Sequence, residues 1–121
     1  MSATTATGRI LLSPETVAAA LGQFPPTAEQ SAVISAPLSP ALVVAGAGSG
    51  KTETMAGRVV WLVANGIVHR DEVLGLTFTR KAAGELAERI NRPLGRLAEF
   101  ERRGLLDALP PLHREGALHI F

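Results

Sequence analysis

Apolar residues fall along this chain in two rhythms. ALVVA at 41–45 is a continuous apolar run between Pro and Gly, the pattern of a strand buried on both faces, and VLGLTF at 73–78 is a second run of strand length. Elsewhere the spacing is helical. Met55, Val59, Leu62 and Val63 form one stripe, stopped by Asn65-Gly66, and Ala82, Ala83, Leu86, Ala87 and Ile90 form another, for which Thr79 is the expected cap. Ser13-Pro14-Glu15 predicts a helix at 14–21 closed by Gly22. Thr27 opens another to about Ser35 that buries Val33 and Ile34, and the run Pro37 to Pro40 ends it. From Pro93 to Gly104 the pattern predicts a separate charged helix, then a loop, LDALPPLHREG, before a last apolar stretch, ALHIF. The order βαβα implies an α/β layer with a parallel sheet and right-handed crossovers. Two strands are few for such a sheet, so the expectation is an incomplete one, a piece of a longer α/β protein.

Composition narrows this further. The 121 residues suffice for one modest domain, and 46% apolar with 19% charged residues is a globular composition. A formal charge of +1 excludes a polybasic nucleic-acid binder, so any such contact must be local. With no cysteine, disulfide scaffolds, thiolate metal sites and thiol catalysis drop out. The N-terminus lacks a signal-peptide pattern and no run reaches membrane-spanning length, so a soluble, cytoplasmic protein with no membrane partner is expected.

The strongest chemical signal lies where the first strand hands over to a helix, in Ala45, Gly46, Ala47, Gly48, Ser49, Gly50, Lys51 and Thr52. Its glycines allow the backbone to curl with amides pointing inward, and together with the helix start these make a cradle for phosphate oxygens. Lys51 should reach the β- and γ-phosphates and the Thr52 hydroxyl should ligate Mg²⁺, so the expected ligand is a nucleoside triphosphate with magnesium. Ala45 occupies the place where the strict pattern has Gly. The rival reading is a Gly-rich turn that binds nothing. Lys51 and Lys81 are the only lysines among twelve basic residues, and a lysine retained where arginine is otherwise preferred suggests a local requirement.

Two flanking segments each admit two readings. Thr77, Phe78, Thr79, Arg80 and Lys81 close the second strand, at the end of the sheet where ligands bind. A ring beside hydroxyls and two cations suits single-stranded nucleic acid; on the residues alone, Phe78 in the core and a solvated Arg80-Lys81 is the simpler account. Thr27-Ala28-Glu29-Gln30 matches a capping box, and the Gln30 amide could alternatively meet an adenine edge; on the residues alone the cap is the simpler account. Asp71-Glu72 precedes its strand and reads as loop. His69, His113 and His119 have no metal-ligand spacing, and Trp61 reads as packing.

PTAEQ at 26–30, AGAGSGKT at 45–52 and GLTFTRKAAGELAERI at 75–90 together resemble, in order and spacing, the first motor domain of UvrD/Rep-like superfamily 1 DNA helicases. Within that group, GKTETMAGRVVWLVANG and LGLTFTRKAAG look most like the actinobacterial AdnA/AdnB helicase-nuclease motors. The resemblance implies an α/β P-loop (RecA-like) parallel sheet with flanking helices. Its implied organisation is a flexible tail at 1–12, the N-terminal part of the ATP-binding domain at 13–92, and a truncated helical or loop insertion at 93–121. It implies that Gln30 recognises adenine, that Gly46 to Thr52 hold ATP and Mg²⁺, and that Thr77, Phe78 and Thr79 grip single-stranded DNA. It therefore favours the nucleic-acid reading of Thr77 to Lys81 and the adenine reading of Gln30. Glu53 stands where many relatives carry an Arg lying against adenine, and Arg80 where Asn is common. The implied activity is ATP-driven translocation on single-stranded DNA in recombination or repair, with a second helicase-nuclease subunit as a partner. In such proteins the acidic Mg²⁺ motif and arginine fingers lie beyond position 121, so the segment alone is not expected to complete a hydrolysis cycle. The alternatives are another P-loop NTPase or kinase, or a non-catalytic nucleotide-binding fragment.

Overall fold

Local hydrogen bonding delivers the helix starts that the sequence announces. The structure, a computed structural model, describes residues 12–39, 50–102 and 118–121. Helix α1 (Pro14–Ala20) begins where Ser13 Oγ accepts the Thr16 amide at 3.1 Å, and it is followed by Gly22 at φ +68°. Helix α2 (Ala28–Ile34) begins with the complete capping box: the Gln30 amide donates to Thr27 Oγ1 at 3.2 Å and the Thr27 amide donates to Gln30 Oε1 at 2.9 Å. Helix α3 (Lys51–Ala64) stops at Asn65, with Gly66 at φ +69°. Helix α4 (Arg80–Arg102) is capped by Thr79, whose Oγ1 accepts the Ala82 amide at 3.0 Å. The strand predicted at 41–45 lies outside the described residues.

Strand β1 (Leu74–Gly75) pairs in parallel with β2 (His119–Ile120), Leu74 opposite His119 and Gly75 opposite Ile120. Hydrogen bonds carry the pairing beyond these residues, from the His119 amide to the Val73 carbonyl at 3.0 Å and from the Phe121 amide to the Gly75 carbonyl at 2.8 Å. The parallel pairing agrees with the expected α/β layer, with α4 in the crossover. The second strand of the pair comes from ALHIF, which is too short to announce itself: only its partner turns it into a strand. Asp71-Glu72 falls in a single 3₁₀ turn at Arg70–Glu72, off the strand as expected.

The core forms where α1, α3 and α4 meet. Ile90, Leu94 and Leu97 are all but sealed from solvent, and each such side chain contributes about 1.5–3 kcal/mol relative to an exposed one. Their stripe corrects the expected break at residue 93. Leu86, Ile90, Leu94 and Leu97 follow one helical face, and α4 runs through Pro93 without interruption. Proline inside a helix costs about 3 kcal/mol; burial of Leu94 and Leu97 on the far side offsets it. On α3 the buried face is Ala56, Val60, Val63 and Ala64, with Trp61 and Leu62 beside it; Met55, expected inward, is exposed, and Val59 is half-buried. Ile34 is buried as expected, Val33 only half so.

Trp61 packs, as its place on the helix suggests, and its indole Nε1 donates to the Leu12 carbonyl at 2.6 Å. Asn65, also buried, takes the Leu12 amide on Oδ1 at 2.8 Å. Leu12, the last residue of the expected tail, is thus fixed to α3 by its backbone.

Candidate functional site

The site is built at the start of α3. Gly50 sits at φ +83°, ψ 22°, a left-handed conformation that costs other residues about 1–2 kcal/mol. The first intrahelical bond runs from the Thr54 amide to the Gly50 carbonyl at 2.9 Å, reinforced by Thr54 Oγ1 at 3.0 Å. The amides of Lys51, Thr52 and Glu53 precede that bond and find no acceptor among the described residues. Lys51 and Thr52 are exposed, and their side chains take no hydrogen bond or ion pair among the described residues. Three outward amides, a helix dipole's positive end, an ammonium and a hydroxyl make a place for an anion with a cation beside it. Ala45, Gly46, Ala47, Gly48 and Ser49 lie outside the described residues.

Gln30 stands next to this turn. A Cβ on Gly50 would lie 3.3 Å from Gln30 Nε2. The capping bond uses Oε1, so the two readings of Gln30 are compatible: one end of its amide closes α2 and the other lies at the turn. Packing keeps it there. Gly57 lets α2 approach, since a Cβ there would come within 3.2 Å of Ile34 Cδ1. Arg58 Nη1 donates to the carbonyls of Val33, Ile34 and Ala36 at 3.0, 3.2 and 2.9 Å, and Nη2 to that of Pro37 at 3.2 Å. A guanidinium thus closes the negative end of α2. Arg96 does the same for α1, donating to the Leu21 carbonyl at 2.8 Å.

Between these helices lies a cavity of about 600 Å³ whose lining includes Gln30, Phe24, Pro26, Glu53, Gly57 and Arg89. Glu53, expected to mark a departure near the base, forms an ion pair with Arg89 of α4; Glu88 pairs with Arg92 on the same helix. The Glu53–Arg89 pair was invisible to local sequence patterns because it joins residues 36 apart, as the contacts of Arg58 with the end of α2 join residues more than 20 apart, whereas Glu88 and Arg92 stand at ordinary helical spacing. The only available signal was the excess of arginine on otherwise helical faces.

The second expected segment lies at the junction of β1 and α4. Phe78 is fully exposed (107%), which overturns its placement in the core. The Thr77 hydroxyl donates within the junction, with the Thr79 carbonyl at 3.0 Å and the Phe121 carbonyl at 3.2 Å, and Thr79 is spent on the cap. These bonds hold the bend that presents Phe78 outward. Arg80 and Lys81 follow it, both exposed. Glu53 and Arg89 tie the first turn of α3 to α4 at a point about 15 Å along the helix from this junction. His69 and His119 belong to no cluster of potential metal ligands among the described residues, and His113 lies outside them. Among the described residues no helix is long and apolar enough to cross a membrane.

Comparison with known proteins finds relatives of this chain. The family model for the UvrD/REP helicase N-terminal domain matches residues 26–114. DNA helicase II of Haemophilus influenzae is 40% identical over 72 residues, which are 60% of this chain and 10% of that protein. ATP-dependent DNA helicase UvrD1 of Mycobacterium leprae is 51% identical over 57 residues, 47% of this chain and 7% of that protein. ATP-dependent DNA helicase PcrA of Staphylococcus aureus is 42% identical over 71 residues, 59% of this chain and 10% of that protein. The matched segment spans at most about a tenth of these relatives.

Proposed function

Because this chain belongs to the family of the UvrD/REP helicase N-terminal domain, we propose that it supplies the triphosphate cradle and part of the DNA grip of an ATP-dependent motor. That motor translocates on single-stranded DNA in recombination or repair. The observation that carries the reading is the start of α3, where, after Gly50 in the left-handed region, the amides of Lys51, Thr52 and Glu53 have no acceptor among the described residues and the Lys51 and Thr52 side chains are exposed.

In this reading Lys51 holds the β- and γ-phosphates and the turn from Ala45 to Gly50 wraps them. Thr52 is the residue that would hold Mg²⁺, which would supply positive charge to the phosphate oxygens; its hydroxyl, exposed and without a partner among the described residues, fits that role. Gln30 presents Nε2 to the adenine edge while its Oε1 keeps α2 capped. Phe78 offers a ring to a base, with Thr77 and Thr79 shaping the bend and Arg80 and Lys81 near the phosphates. In this reading the sheet belongs to a RecA-like P-loop layer to which 41–45 would add a further strand. The closer kinship is with AdnA/AdnB motors, which would bring a second helicase-nuclease subunit as partner and a cytoplasmic setting.

The test is Lys51→Ala in the motor that contains this segment, with ATP hydrolysis measured with and without single-stranded DNA. DNA-stimulated turnover should disappear; normal turnover in the variant refutes the reading. Wild-type hydrolysis that ignores DNA would point to a different P-loop enzyme.

A further inference from the structure

We infer that Arg89, held by Glu53, is a wall of the nucleotide-base site, its guanidinium plane lying against the purine. This assignment rests on the nucleotide reading above and adds to it a residue that reading does not use.

Three observations converge. Arg89 and Gln30 line the same cavity, and Gln30 Nε2 lies at the turn that begins the cradle, so a nucleotide with phosphates on Lys51 and Thr52 carries its base toward this space. The cavity, about 600 Å³, has the size of a small-molecule site. Its rim charges argue against phosphate there: Glu53, Glu85 and Glu88 stand against Arg89 and Arg92, which leaves one net negative charge among them. A neutral ring fits such a rim and a polyphosphate does not.

Within that rim Arg89 is the cation placed by α3 itself. Its ion pair with Glu53, the residue directly after Thr52, brings a guanidinium from α4 to the first turn of the phosphate-binding helix. Arg92 instead pairs with Glu88 along α4. Side-chain exposures of 46% for Arg89 and 72% for Glu53 make this pair a weak contributor to stability and leave about half of the Arg89 side chain open to a ligand. A planar, weakly hydrated guanidinium stacks on aromatic rings as an ammonium does not.

The experiment titrates the full chain with ATP and, separately, with inorganic tripolyphosphate in the presence of Mg²⁺. Arg89→Ala should raise the Kd for ATP roughly tenfold and leave that for tripolyphosphate unchanged. Unchanged ATP affinity overturns the assignment, and so does an equal loss for both ligands, which would make Arg89 a phosphate contact. Should Arg89→Ala not fold, Arg89→Lys decides: it keeps charge and stem but not the plane, so ATP should weaken selectively, and full ATP affinity overturns the proposal. A wild-type chain that binds neither ligand is a separate result, the failure of the nucleotide reading itself.

Discussion

Replacing Gly50 by Ala puts two structural demands in conflict. The residue sits at φ +83°, where an L side chain costs about 1–2 kcal/mol. Its new Cβ would also lie 3.3 Å from Gln30 Nε2, closer than ordinary van der Waals contact. That nitrogen ends a flexible side chain and would normally yield, but its amide is anchored through Oε1 to the Thr27 amide. Moving it strains a cap worth about 0.5–1.5 kcal/mol. The two effects together predict a loss of about 1.5–3.5 kcal/mol, read as a lower midpoint at unchanged slope in urea unfolding of the chain. If the turn instead relaxes by flipping out of the left-handed region, stability is spared and the amides of Lys51 and Thr52 lose their aim. ATP binding then falls at least tenfold, since about 1.4 kcal/mol corresponds to that factor. Gly50→Asn should lose less than Gly50→Ala, because Asn tolerates the left-handed region. A Gly50→Ala chain with wild-type stability and wild-type ATP affinity would refute the reasoning.

Other perturbations have equally definite outcomes. Leu97→Ala removes a side chain with no exposed surface and should cost about 2–5 kcal/mol in urea unfolding; a loss under about 1 kcal/mol would mean α4 is not seated as described. Phe78→Ala should weaken single-stranded DNA binding by the motor by about 1–3 kcal/mol while leaving chain stability unaltered, and the reverse pattern would return Phe78 to a packing role. The Ser31 hydroxyl beside Glu15, with the backbone amide of Glu15 next, holds that carboxyl below the usual range. Its stabilisation is therefore complete above the unfolded value near about pH 4.3 and is lost as pH falls through the lower folded value. Because the site is exposed the effect is small, and Ser31→Ala should flatten it in acid titrations followed by circular dichroism; an unchanged profile would contradict the contact.

What could be read from the chain was local. Ser13, Thr27 and Thr79 cap helices through bonds that span three residues, so their side chains and the following amides announce them together. The start of α3 was legible for the same reason, since Gly50, Lys51 and Thr52 are neighbours. Pro93 misled because local breaking propensity was outweighed by Leu94 and Leu97, whose burial depends on a helix far away in sequence. Phe78 shows a different limit: the apolar run taken alone suggests burial, whereas the Thr77 and Thr79 hydrogen bonds hold a bend at which the ring is exposed, as the motif resemblance and not the apolar pattern implied. Arg58, Arg89 and Arg96 act on carbonyls or carboxylates brought close only by folding. No spacing rule reaches those partners.

The most direct measurement follows the backbone amide resonances of Gly50, Lys51 and Thr52 as ATP with Mg²⁺ is added to the chain, in parallel with Lys51→Ala. Large, saturable shifts at these three amides, lost in the variant, are the expected result. Amides that stay still at saturating nucleotide, or shifts confined to another face of the protein, would contradict a phosphate cradle at the start of α3.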